Sequence, residues 1–240
     1  MASSDPKRHH PWRWVAGAVG VLVILAVAVP YAYIHLIQGP APKPLSLATT
    51  PPPSTPTGDP SATSPSSVDE TWKVSSGSQA GYRVKEVLAG QPDTAVGRTS
   101  SISGSFELTG SVVAKGSFTV DLRTVTSDEG RRDEQFNGRI MDTAEHPLAT
   151  YTLTKPIDLG SAPVAGKIIS VKAAGALAMH GVTHPVTASI RARYTGSAFE
   201  ISGSIPVTFE DWAIANPGFA GFVTTENHGI VEFLLTTTRA

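Results

Sequence analysis

The sequence predicts an all-β domain, an antiparallel barrel of about eight strands with one short helix, preceded by a transmembrane helix and a disordered linker. Three observations support this prediction. Short runs rich in β-branched and aromatic residues, separated by Gly, Ser, Asp or Pro, recur through residues 70–240. An apolar stretch near the N-terminus is long enough to cross a bilayer, and the segment after it is dominated by Pro, Ser and Thr.

The N-terminal region is predicted to be a membrane anchor. Residues 1–13 form a basic tail, and residues 14–37 are 24 residues in which His35 is the only strongly polar side chain. A helix of that length spans a hydrocarbon core of about 30 Å, and basic residues on its N-terminal side keep that side in the cytoplasm. The alternative is a signal peptide cleaved near Ala26 and Ala28. Both interpretations place the rest of the chain outside the cytoplasmic membrane.

Residues 38–69 are predicted to be a linker. Nine prolines and eleven Ser or Thr residues fall within positions 39–69, with almost no large apolar side chain, so this segment cannot build a core of its own. Its reach is between about 30 Å as a flexible coil and about 95 Å as polyproline II. Such a spacer would hold the domain clear of the membrane.

Most of the domain of residues 70–240 is predicted to form β-strands. Each run is short and apolar on alternate positions or rich in β-branched residues, as half-buried strands are. Outside the hairpin described below, the predicted strands are Ile102 to Leu108, Val112 to Asp121, Leu148 to Thr154, Ile168 to Ala178, Phe199 to Phe209 and Ile230 to Thr236.

One segment of the domain favours a helix. Thr126 and Glu129 have the spacing of a capping box, in which each side chain bonds the other residue's backbone N–H. Arg132, Phe136 and Ile140 follow at four-residue intervals, which places them on one helix face.

The stretch GALAMHGVTHPVTASI at 175–190 predicts a β-hairpin rather than a metal site. On a helix, His180 and His184 would share one face and could bind a metal ion. Gly181, Pro185 and the β-branched residues between them favour a turn instead, and both flanks alternate between inward and outward positions. We therefore expect no metal here.

Composition and motifs argue against several functional classes. A net charge of -1 with 16% charged residues gives no support for nucleic-acid binding, and the absence of cysteine removes thiolate chemistry. The sequence holds no GxSxG, HExxH, Walker or dinucleotide motif, so we expect no catalytic residue and no cofactor. A catalytic triad assembles in space rather than in sequence, which leaves a lipid-modifying enzyme as the least favoured alternative. The candidate general bases would be His146, His180, His184 and His228.

Three pieces of the domain are distinctive: Trp72-Lys73-Val74 with Tyr82-Arg83-Val84, Arg132-Asp133 with His146-Pro147 and Ala149-Thr150-Tyr151, and the 175–190 hairpin. Through these motifs the domain resembles the YceI-like family of bacterial envelope proteins over nearly all of residues 70–240. This resemblance implies a lipocalin-like barrel and the binding of polyisoprenoids or other long-chain lipids. The chain departs from the family pattern at Gln135-Phe136, at Ile140-Met141 and in a long insert at 85–99, which bear on the size of the ligand.

The mixture of large apolar residues with many Ala, Gly, Val and Thr residues predicts an apolar cavity inside the barrel, although an ordinary filled core has the same composition. Arg132 and Asp133 could contact a lipid headgroup at the mouth, or brace the helix to a neighbouring strand. The expected cavity wall is Tyr151, Leu153, Leu177, Met179, Ile190, Phe209 and Phe233.

The function that the sequence favours is a membrane-tethered, extracytoplasmic barrel that binds a polyisoprenoid or other long-chain lipid. Binding of this kind needs apolar surface and no catalytic motif. The alternative is a ligand-free structural or interaction module of the cell envelope, with a filled barrel.

Overall fold

The computed structural model describes residue 28 and residues 40–48, 70–88, 90–218 and 223–240. The predicted span at 14–37, apart from residue 28, and the linker residues 38–39 and 49–69 lie outside this description. Within the described residues, no helix combines the length and the apolar character needed to cross a membrane.

Antiparallel strands make up most of the described domain. Their order along the chain follows the runs of β-branched and aromatic residues. The twelve strands are β1 Glu70–Val74, β2 Gln79–Leu88, β3 Gln91–Thr99, β4 Ile102–Thr109, β5 Val112–Asp121, β6 Leu148–Leu153, β7 Ile157–Asp158, β8 Ile168–Met179, β9 Val182–Tyr194, β10 Phe199–Thr208, β11 Val223–Thr225 and β12 His228–Arg239.

Eight of these strands close into a barrel. The order is β1-β4-β5-β6-β8-β9-β10-β12, and β12 returns to β1 through the pairs from Trp72↔Arg239 to Val74↔Thr237. The earlier part of the same β12 edge, Ile230 to Leu234, pairs with β2, which in turn pairs with β3 and β11. Closure leaves the ring without a free edge, which is how antiparallel sheets avoid edge-to-edge association. The predicted fold class, a closed all-β barrel with one short helix, is confirmed.

The runs predicted as strands appear as β4, β5, β6, β8, β10 and β12, with ends that differ by three residues or fewer. The insert at 85–99 is not a loop. It forms the end of β2 and all of β3, paired from Ala80↔Thr99 to Leu88↔Gln91.

The 175–190 stretch is a hairpin, as predicted. Met179 pairs with Val182, so the connection has two residues, His180 and Gly181, with φ of 50° and 74°. Positive φ at both positions is the geometry of a type I′ turn, whose twist matches that of the flanking strands. A Cβ on Gly181 would lie 3.0 Å from Cε1 of His146, so this position has little room for a side chain.

The helix is shorter than predicted, and its start is different. α1 spans Gly130–Gln135 and continues into a π-helical turn, Phe136–Ile140. The capping box is wrong: Glu129 is itself the N-cap, and its carboxylate accepts a bond from the backbone N–H two residues later. Thr126 is instead held in a β-bridge to Arg98, which fixes it in extended conformation before the helix begins.

Two apolar clusters lie along the barrel axis. One end is closed by an aromatic cluster in which the fully buried Trp72 meets Phe199 edge-to-face at 4.8 Å and Tyr194 at 5.9 Å between ring centroids. The larger cluster lies towards α1 and includes Phe136 and Trp212. One end of the barrel is therefore packed shut, while the other is covered by the helix.

Candidate functional site

The barrel encloses an inner chamber of about 150 Å³ next to the aromatic cluster. Its described lining comes from inward positions of the barrel strands and carries no charged side chain. The polar side-chain atoms of that lining are two tyrosine hydroxyls, and both are engaged: Tyr151 donates to the carbonyl of Ala173 at 3.2 Å, and Tyr194 donates to the carbonyl of Gly196. The inner chamber therefore offers an apolar ligand no competing polar partner.

An outer chamber of about 1030 Å³ lies under α1 and the π-helical turn. Its wall is apolar where it faces the barrel and charged where it reaches the helix. The apolar residues include Tyr82, Val84, Phe136, Met141, Met179, Val207, Phe209 and Ile214, and the charged ones are Glu86, Glu129, Arg131, Arg132, Glu134 and Arg139.

The two chambers adjoin. Ala80, Val120, Ala149, Leu177 and Val231 line both of them, and we call these five residues the neck. Two of the five are Ala and two are Val, so small side chains dominate the boundary between the two chambers.

The structure places every residue of the predicted cavity wall on this cavity. Six of them lie on strands, at positions that face the barrel interior, and Phe209 follows directly after β10. The predicted register therefore turns these side chains inward. Tyr151, Leu153, Leu177, Ile190 and Phe233 line the inner chamber, while Met179, Phe209 and again Leu177 line the outer one. Their contact with a ligand stays a prediction.

Arg132 lies at the charged rim of the outer chamber and braces α1 to two strands. Its Nη2 is 3.2 Å from Oε1 of Glu86 on β2 and 3.7 Å from Oδ2 of Asp93 on β3, and its Nη1 bonds Asp128. Burial raises the pKa of Glu86, and the nearby guanidinium of Arg132 opposes that rise. The structure thus shows the bracing role, and a headgroup contact by Arg132 stays a prediction.

Asp133 plays a local role. Its carboxylate accepts bonds from the backbone N–H of Ser127 at 2.8 Å and from the Ser127 hydroxyl at 2.6 Å. These bonds hold the loop that leads into α1. Asp133 is not among the lining residues of the outer chamber, so the structure does not bring it to the cavity with Arg132.

Sequence reasoning missed Tyr82 and its strand as part of the wall. Tyr82 stacks on Phe136 with ring centroids 5.0 Å apart and planes at 13°. This contact packs the π-helical turn against β2. Burial raises the pKa of Tyr82 above its ordinary range, so its hydroxyl stays protonated. Alternation from Ala80 through Tyr82 to Val84 was the available signal for this face.

His180, in the turn of the hairpin, makes a hydrogen bond and a ring contact with neighbouring residues. His180 shares a hydrogen bond of 2.9 Å between its Nδ1 and the carbonyl of Trp212, whose Nε1 donates to the carbonyl of Leu177 at 3.1 Å. The rings of His146 and His180 meet edge-on at 5.2 Å. In the part of the chain that the structure describes, no group of three or more His, Asp or Glu side chains is arranged to hold a metal ion.

A family model described as the YceI-like domain matches residues 72–236. The chain is also similar in fold to two solved structures at 16% sequence identity. One is a polyisoprenoid binding domain from Saccharophagus degradans implicated in plant cell wall breakdown, with a TM-score of 0.59 over 70% of this chain and 98% of that one. The other is BcnA of Burkholderia cenocepacia, with a TM-score of 0.53 over 69% of this chain and 99% of that one. No curated protein sequence matches the chain.

Proposed function

This chain is a member of the YceI-like domain family, and we propose that its barrel binds the hydrocarbon chain of a polyisoprenoid or other long-chain lipid. The observation that carries the proposal is the pair of adjoining chambers, which we propose join at the neck into one elongated cavity. An apolar inner chamber, a neck of small residues and an outer chamber with a charged rim follow one another along it. An amphiphile with a long tail has the same order of properties, with an apolar chain at one end and a polar headgroup at the other.

The energetics favour binding through the tail. Each buried CH2 contributes about 0.8 kcal/mol, so about eight buried carbons supply several kcal/mol before the costs of association. The tail needs no polar partner, which agrees with the described lining of the inner chamber, where no side chain is charged. The similar fold of the Saccharophagus degradans domain, described as polyisoprenoid binding, supports the same class of ligand.

A polar headgroup would lie at the rim beside α1. The guanidinium of Arg132 already pairs with carboxylates of the rim. Arg131 and Arg139, on the same helical segment, add donors at the mouth for an anionic or hydroxyl-bearing headgroup. We propose binding without catalysis, since holding a lipid in this way requires no reacting group.

We further propose that the barrel is tethered outside the cytoplasmic membrane. The basic tail at 1–13, the apolar stretch at 14–37 and the polar linker at 38–69 support a single span with its N-terminus in the cytoplasm. Protease added to intact spheroplasts should remove the barrel. Protection of the barrel, alongside a cytoplasmic marker that is also protected, would contradict this topology.

Native mass spectrometry of the full chain, released from detergent micelles, tests the lipid proposal. We expect a discrete added mass that corresponds to one lipid, displaced when excess polyprenyl alcohol is supplied. A bare polypeptide mass, unchanged after incubation with polyprenyl and fatty-acyl lipids, would support the filled or ligand-free envelope module instead. Conversion of a lipid ester during the incubation would indicate an enzyme.

A further inference from the structure

A proline-rich segment that precedes the domain lies across the outside of the barrel. We call this segment, residues 40–48 with the sequence PAPKPLSLA, the strap. It has no regular secondary structure, yet Leu47 is only 6% exposed. The next described residue is Glu70, so the strap is separated from β1 by 21 residues of sequence and is positioned by its own contacts.

The centre of the strap contact is a buried carboxylate on the outer face of β12. Val231 and Phe233 line the cavity, so Glu232 between them points outward. Its side chain is nevertheless only 4% exposed. Glu232 pairs with Arg98 at 2.8 Å and with Arg83 at 3.5 Å, and it accepts a hydrogen bond of 3.2 Å from the backbone N–H of Leu45.

Arginines of the barrel hold the strap by its backbone carbonyls. Arg83 donates to the carbonyl of Pro42 and Arg98 donates to the carbonyl of Lys43. At the other end, Arg193 on β9 donates to the carbonyl of Ala48 at 3.0 Å. The Arg193 side chain is 2% exposed and also pairs with Glu200, so its guanidinium is fixed in place. Backbone recognition of this kind selects an extended segment rather than a particular set of side chains.

The strap has the right length and composition for this face. It crosses from β2 and β3 over β12 and β10 to β9, a distance of about four strand spacings or 19 Å, and six residues in polyproline II conformation cover about 19 Å. Pro40, Pro42 and Pro44 have no backbone N–H that would need a partner, and their fixed φ lowers the entropy lost on docking. Within the described residues, the backbone N–H that bonds the central carboxylate is that of Leu45.

We propose that the outer face around Glu232 is a recognition site for an extended proline-rich segment, and that its occupant is the strap of the same chain. Occupancy of this site, rather than linker length, then sets how far the barrel can stand from its anchor. With the strap docked, only residues 38 and 39 separate Pro40 from the predicted span. This consequence rests on the proposed membrane tether, whereas docking itself does not depend on the tether or on a bound lipid.

Hydrogen exchange of the full chain in detergent micelles tests the proposal. The Leu45 amide is expected to exchange at least about tenfold more slowly than its intrinsic rate, because its N–H is bonded to Glu232. Leu47→Asp places a charge at a buried strap position and should abolish that protection. The matched control is Ser46→Asp, which adds the same charge one residue earlier at an exposed position and should preserve the protection.

Four results would overturn the proposal. The Leu45 amide could exchange at its intrinsic rate in the parent chain, or be equally protected in Leu47→Asp. The amides of β9 could lose protection together with Leu45 in Leu47→Asp, which would make the strap part of the barrel fold. Protection that disappears on dilution would assign the occupant to a second copy. In the expected result, protection is independent of protein concentration and the barrel amides stay unchanged.

Discussion

Replacing Ala149 with Phe is expected to close the neck while leaving the barrel folded. Ala149 lies on β6 and lines both chambers, so a benzyl group at this position would project into the space between them. In the proposed open neck the ring has room, so the substitution should avoid the cost of about 1–3 kcal/mol that overfilling a close-packed core incurs. Affinity for long chains should fall, whereas the unfolding free energy should change little.

The size of the affinity loss follows from the inner chamber. A cavity of about 150 Å³ lined by Leu, Ile and Phe accommodates a benzene-sized guest of about six carbons. At about 0.8 kcal/mol per CH2, excluding six carbons costs about 5 kcal/mol as an upper limit. At about 0.3 kcal/mol per atom, the average for larger ligands, it costs about 2 kcal/mol. The dissociation constant for a long chain should therefore rise by between about 30-fold and several thousand-fold.

The assay is a competition measurement of the dissociation constant with two ligands. A long polyprenyl alcohol should lose affinity for Ala149→Phe, whereas a short prenyl alcohol that ends in the outer chamber should not. The matched control is Leu148→Phe, on the same strand at a residue that is 50% exposed, which should bind both ligands as the parent does. Unchanged affinity for the long chain in a folded Ala149→Phe protein would refute the path through the neck.

Three further predictions concern stability. Gly181→Ala should lower the unfolding free energy by about 1–2 kcal/mol, since φ at this position is 74°, and an unchanged urea midpoint would contradict the turn assignment. Arg132→Met should cost about 3 kcal/mol by leaving the Glu86 carboxylate without its cation, and adding Glu86→Gln should recover much of that loss in a double-mutant cycle. Additive losses would show that the pair does not couple α1 to β2. Burial raises the pKa of Tyr151 from its ordinary 10.0 to about 12, so between those values the folded state keeps a proton that the unfolded state releases. Stability should therefore fall as the pH rises through that window, and Tyr151→Phe should flatten the decline in chemical denaturation curves. Equal pH dependence in the parent and the variant would refute the burial of this hydroxyl.

The inward face of the barrel could be predicted because its strands alternate clearly. In the 175–190 hairpin, Leu177 and Met179 alternate with alanines, and a one-residue change of register would have turned them outward. The turn chemistry of His180-Gly181 fixed that register locally. Hydrophobic alternation and turn residues are both short-range signals, so one sequence suffices to read them.

The β2–β3 pair could not be predicted from local propensity. Residues 91–99 include Pro92, Asp93 and Gly97, which are all depleted in strands. Gly97 is required by tertiary packing, because a Cβ there would lie 2.4 Å from Cε1 of Tyr82. The ring of Tyr82 on β2 therefore lies over Gly97 on β3. The sequence of β3 alone does not reveal this contact, because its partner lies on the other strand.

The docking of the strap on the barrel also could not be predicted from the sequence. Its prolines predict an extended segment without a core of its own, and the residues that hold it are far away in the chain. Leu45 bonds a carboxylate 187 residues later, and Ala48 bonds an arginine 145 residues later. Nothing in the composition of a linker indicates which surface it will meet.

The path of the lipid tail through the neck is tested most directly by photocrosslinking. A polyprenyl alcohol with a diazirine at the end of its tail is incubated with the full chain, irradiated, and the modified residues are identified by mass spectrometry. We predict adducts on inner-chamber residues such as Phe118, Ile190 and Phe233, at one site per chain. Adducts confined to the outer chamber or to the exterior of the barrel would contradict a tail that passes the neck into the inner chamber.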